Sequence, residues 1–138
     1  LPAQSPGRYY SPWQVLVATI IGGPMAGGFF IASDYTAFGA AGRGRAAIAV
    51  SCLVIVAGVL LQGNFAALVD PQDAPLVAGL IAGLYGVFAR ATFTAEIGRR
   101  RGAGWTRHDW ARVVGISMGF LVATLLVVLA AAQLGSAP

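Results

Sequence analysis

The chain reads as four long apolar runs separated by short polar punctuation, at residues 12–33, 46–69, 74–94 and 110–133. One helical crossing of a bilayer's hydrocarbon core takes about 20 mostly apolar residues, and each run is close to that. The expected fold is all-α: a four-helix transmembrane bundle forming one membrane domain over residues 1–138. The connectors are too short to build a separate soluble domain with its own core. The turn between the second and third runs is only a few residues long, which makes those helices antiparallel neighbours.

Composition points the same way. Hydrophobic residues make up 57% of the chain and charged residues 10%, against about 25% charged in a soluble domain. The net charge of +4 comes from arginine alone, and the arginines gather at the ends of apolar runs. Arg43 and Arg45 lie in the first connector (34–45); Arg99, Arg100, Arg101 and Arg107 lie in the third (95–109), with Arg112 just beyond. The other connector end holds Arg8, the acidic turn VDPQDAP with Asp70 and Asp73, and the uncharged tail QLGSAP. By the positive-inside rule the first and third connectors are cytoplasmic, and both termini are expected on the non-cytoplasmic side.

Local signals mark the helix ends. Ser11 before Pro12 reads as an N-cap with proline at the first helical position. Asp73 is expected to cap the third helix, and TRHD (106–109) fits a capping box opening the fourth. Tyr9, Tyr10 and Trp13 are expected as anchors at one interface, Trp105 and Trp110 at the other. The opening LPAQSPGRYY lacks the charged start and apolar stretch of a signal peptide.

The glycine spacing suggests either a helix-packing face or the glycine-rich composition alone. G-x-x-x-G spacing occurs at Gly23 and Gly27, Gly79 and Gly83, and Gly115 and Gly119; in lipid such small residues let helix backbones approach. Pro24 removes a backbone hydrogen bond and predicts a kink in the first helix. Its plain reading is a bend that fits the helix around its neighbours; its functional reading is a broken helix lining a transport site.

Asp34 falls at the C-terminus of the first run, where the helix dipole is already negative. It needs a cation, and Arg90, near the end of the parallel third helix, is the expected partner. Offsetting the chain by 56 residues aligns residues 26–45 with 82–101, sets Asp34 opposite Arg90, and suggests two repeated helical hairpins.

YYSPWQVLVATIIGGPMAGGFF followed by DY and FG, with FAR near the end of the third run and a basic connector before the last, resembles a group of small uncharacterised bacterial multi-pass inner-membrane proteins. The resemblance covers nearly the whole chain and implies a bacterial inner-membrane location, with no catalytic residue to transfer. The group has Asn where this chain has Asp34.

Catalytic chemistry has little to stand on. His108 is the only histidine and Cys52 the only cysteine, so bis-histidine haem ligation and a two-thiol site are excluded. His108 is expected on a loop surface and Cys52 as a small core residue. Ser51 and Ser117 are expected to satisfy local carbonyls, and Glu96 to be an interfacial acid among arginines. No catalytic, metal or cofactor-binding residue is expected, and no nucleic-acid partner. The arginines of IGRRRGAGWTRHDWAR either bind anionic lipid headgroups or act only as topology signals.

The leading expectation is a non-enzymatic membrane protein acting by helix–helix binding, as an accessory or assembly subunit or a self-associating bundle. A small oligomeric transporter or channel is the alternative, resting on Pro24, Gln14, Thr19, Gln62, Asn64 and Arg90. An immunity protein against a membrane-active toxin is a further one.

Overall fold

A computed structural model describes residues 7–65 and 71–135. In chain order they form β1 (Arg8–Tyr9), α1 (Pro12–Ala37), α2 (Ala41–Phe65), a 3-10 turn (Pro71–Asp73), α3 (Ala74–Gly102), β2 (Thr106–Arg107) and α4 (Trp110–Gly135). The fold is four helices packed together; α2, α3 and α4, and α1 by residue count alone, are long and apolar enough to cross a membrane. Asp70 and Val69, and the side chains of Gln62 and Asn64, lie outside the described residues.

α1 is not a straight rod. Gly23 has φ 74° and ψ −172°, outside the helical region, and there the chain folds back on itself. Tyr10 N–H donates to Asp34 Oδ1 at 2.7 Å, although a continuous helix would hold those residues about 36 Å apart. The Tyr10 and Phe30 rings meet edge to face with centroids 4.5 Å apart, and Gly27 lies directly against Thr19 Oγ1. α1 is therefore a helical hairpin with arms at residues 12–22 and 24–37. At roughly 1.5 Å per residue the arms are about 17 and 21 Å long, short of a hydrocarbon core of about 30 Å. Pro24 is thus not in a helix interior. It opens the second arm, a position where its missing N–H is harmless.

The hairpin is the hub of the fold. α2 runs antiparallel to the second arm, with Ser51 against Gly28 and Gly44 against Ala32. α3 runs parallel to that arm, with Tyr85 at Gly27 and Phe93 edge to face with Tyr35 at a centroid distance of 4.8 Å. α4 runs beside the first arm, with the Ser117 carbonyl and Phe120 at Gly22. Among the described residues α2, α3 and α4 hardly touch one another. Val15, Ala18, Ala26, Phe30, Ile31, Ala89, Phe93 and Val113 form the buried core. The hairpin tip reaches only as far as Cys52, through Met25, and Phe120, so the far halves of the long helices continue past it.

Helix ends differ from the hydropathy expectation where arginine sits. α2 begins at Ala41 and α3 runs to Gly102, so Arg43, Arg45 and Arg99 to Arg101 are helical. Glu96 pairs with Arg99 and Arg100 at i,i+3 and i,i+4, spacings that support a helix beyond its apolar part. The same continuity removes the expected repeat: α1 stops at Ala37 ahead of Gly39, φ 83°, while the aligned part of α3 is helical throughout. Ser11 does cap α1, its Oγ accepting from Gln14 N–H at 3.3 Å and its own N–H donating to Gln14 Oε1 at 2.9 Å. Asp73 precedes α3 without a side-chain cap bond. Thr106 is paired in β2 rather than capping α4.

Candidate functional site

The densest buried polar group lies at the open base of the hairpin. β1 pairs in parallel with β2, Arg8 opposite Thr106 and Tyr9 opposite Arg107, which ties the N-terminal segment to the α3–α4 connector. Gly7 lies flat against the Trp105 ring, with no room for a β-carbon. Gln14, fully buried, donates from Nε2 to the His108 carbonyl at 2.8 Å, and His108 N–H donates to the Tyr9 carbonyl at 2.9 Å. Tyr9 and Tyr10 are therefore buried at the same end as Trp105, not at an opposite interface; Trp13 alone of that trio is exposed.

Asp34 sits inside this group. It is 1% exposed. Oδ1 holds the Tyr10 N–H, and Oδ2 has no hydrogen-bond partner. Arg90 does not reach it. Arg90 is exposed on α3, and the ion pairs among the described residues are those of Glu96 with Arg99 and Arg100. The physical reason is the hairpin: it delivers a backbone donor to Asp34 from the same helix's start, and the carboxylate turns inward to meet it.

His108 is also drawn in, contrary to a loop-surface position. Its ring stacks on Tyr10 with centroids 4.2 Å apart, and Nδ1 is buried without a partner. Burial first, then the charges of Arg112 and Arg8, hold its pKa below the ordinary 6.5, so the neutral imidazole is favoured.

A second fastening stands beside the first. Arg100 donates from Nε to Glu96 at 2.7 Å and from an Nη to the Phe38 carbonyl at 3.3 Å, and its guanidinium lies over Trp105 and Phe38 at 4.5 and 4.9 Å. Arg100 is committed to joining α1, α3 and the connector. Arg99 is held by Glu96.

The glycines divide by environment. Gly23 is the hairpin turn and Gly27 packs inside the molecule, whereas Gly79, Gly83, Gly115 and Gly119 have open space where a β-carbon would stand. Cys52 is exposed rather than in the core. Ser51, Ser117 and Thr19 bond the carbonyls of Ala47, Val113 and Val15 one turn back.

Sequence reasoning singled out Asp34 but not its partner Tyr10, nor the His108 ring stacked on Tyr10. Gln14 had a legible signal, an S-P-x-Q capping box at the start of an apolar run. Among the described residues no three His, Cys, Asp or Glu side chains converge as metal ligands do. What the arrangement does chemically is hold a half-buried imidazole that favours its neutral form and a buried, half-satisfied carboxyl on either side of one tyrosine. No protein-family model, curated protein or solved structure matches this chain.

Proposed function

We propose that the chain is a bacterial inner-membrane protein that works without catalysis, by packing its long helices against other transmembrane helices in a complex or in a second copy. The carrying observation is how little of α2, α3 and α4 is used within one chain. Past the hairpin tip they hardly meet among the described residues, and Leu53, Leu76, Leu80, Leu125 and Leu126 are more than half exposed. Gly79 on α3 and Gly115 and Gly119 on α4 are bare there or nearby, which suits close approach of a partner backbone.

In this reading α2, α3 and α4 cross the bilayer, and α1 enters and leaves on the arginine-rich, cytoplasmic side. The pairing of β1 with β2 supports a cytoplasmic N-terminal segment, in place of the outward one that four full crossings require. The C-terminal end of α4 then faces outward. Purification from native membrane in mild detergent tests the binding role. A stoichiometric partner or a defined oligomer is expected, and a lone chain with no helix-to-helix crosslink overturns it.

A transport role draws on one observation, the broken α1 with buried Asp34 near its base. Solute flux in proteoliposomes that is abolished by Gly23→Ala favours that role over the first.

A further inference from the structure

Two apolar grooves flank α2, and each has an arginine at the same end. The first, of about 390 Å³, runs between α2 and α3 over the second arm of α1. Ile31, Ala47, Val50, Leu84 and Phe88 form its walls; Arg43 and Tyr35 stand at its basic end, and Ser51 and Tyr85 close the other with their hydroxyls 2.7 Å apart. The second, of about 560 Å³, lies on the opposite flank, with Phe29, Ala32 and Ile48 in its wall and Arg45 at its basic end. Arg43 and Arg45 are two residues apart, so a helix points them to opposite sides.

The two guanidiniums differ from their neighbours. Among the described residues, Arg99 and Arg100 share Glu96, while neither Arg43 nor Arg45 meets a carboxylate. α2 and α3 hardly touch, so the first groove is open sideways along its length. A ligand suited to it is apolar for about 12 Å, the rise from Arg43 to Ser51, anionic at one end, and able to enter from the side. A helix from a second copy fills the apolar part, but Glu96, the one carboxylate on α2, α3 or α4, is already held by Arg99 and Arg100.

We propose that the grooves beside α2 are binding sites for anionic phospholipid, the phosphate on Arg43 or Arg45 and an acyl chain along the groove. In the first site the chain lies against Ile31, Val50, Leu84 and Phe88. The inference rests on the membrane setting proposed above and adds a ligand class to it.

Native mass spectrometry of the whole chain in detergent, titrated with phosphatidylglycerol, phosphatidylcholine or glycerol 3-phosphate, tests it. Two phosphatidylglycerols are expected to be retained, in preference to phosphatidylcholine. Arg43→Gln weakens one of them about fivefold, the factor that about 1 kcal/mol per basic residue at an anionic surface gives. Leu84→Trp, at a position 69% exposed, fills the first groove and leaves one bound lipid with melting unchanged. Equal retention of the two phospholipids, displacement by glycerol 3-phosphate, or wild-type retention by both variants overturns the sites. So does a chain-to-chain crosslink from Leu84→Cys that added phosphatidylglycerol does not reduce. A chain that stays monodisperse without detergent refutes the membrane setting instead.

Discussion

Tyr10 and Asp34, 24 residues apart, are joined by a 2.7 Å bond from backbone to carboxylate. That bond closes the base of a helix folded in half, and it needs an acceptor at position 34 more than it needs a charge. Asp34→Asn keeps the acceptor and is expected to melt at or above the wild-type temperature in detergent, because a neutral amide is cheaper to bury than a carboxylate. Asp34→Ala leaves the buried Tyr10 N–H unsatisfied, a loss of about 1–3 kcal/mol. Arg90→Ala is expected to change nothing. If Arg90→Ala matches the loss of Asp34→Ala, the two side chains are coupled after all.

Gly23 and Pro24 are expected to behave very differently although they are adjacent. At φ 74° and ψ −172° a β-carbon is strained, so Gly23→Ala costs about 1–3 kcal/mol. Pro24 already sits at the start of an arm, and Pro24→Ala is expected to cost under about 1 kcal/mol. Thermal melting of the two variants side by side decides this; a larger loss for Pro24→Ala contradicts the hairpin.

Acidification is expected to weaken the fold through His108. Its pKa is held below 6.5 in the folded chain, so below about pH 6.5 the unfolded state binds more protons and stability falls. Above that pH both states are neutral and the contribution vanishes. Melted side by side from pH 8 down to pH 5, the wild type is expected to lose stability relative to His108→Gln in the lower half of that range.

The glycines give a fourth contrast. Gly28→Ala drives a methyl into Ser51, an overpacking that costs about 1–3 kcal/mol. Gly79→Ala and Gly119→Ala meet empty space and replace a poor helix former, so each is expected to raise stability by up to about 1 kcal/mol. Larger side chains at those two positions are expected to lower association, read by crosslinking in vesicles, while leaving the single chain folded.

How much of this was legible follows from what hydropathy measures. The four apolar runs, the Ser11–Pro12 start and the arginine-rich end are properties of composition and local spacing, and they appear in the chain as read. The hairpin is not, because two short arms joined at Gly23 are as apolar as one crossing helix. Its signal was present in GGP: a glycine free to take positive φ, followed by a residue that starts helices well. Asp34 was recognisable as a group needing a partner. The partner is a backbone N–H, which carries no sequence signature, whereas Arg90, at a matching level of the third run, does. His108 and Tyr10 were missed for the same reason, since only the folding back of α1 brings β1 to β2.

The reversal of α1 is the claim on which the cytoplasmic N-terminal segment, the Asp34 environment and the grooves beside α2 all depend. Spin labels on Trp13→Cys and Thr36→Cys, in a Cys52→Ser background reconstituted in liposomes, measure it by electron–electron double resonance. Both ends of α1 lie together at the hairpin base, so a short separation, under about 25 Å, is expected; a peak near the 35 Å or so of an unbroken helix contradicts it.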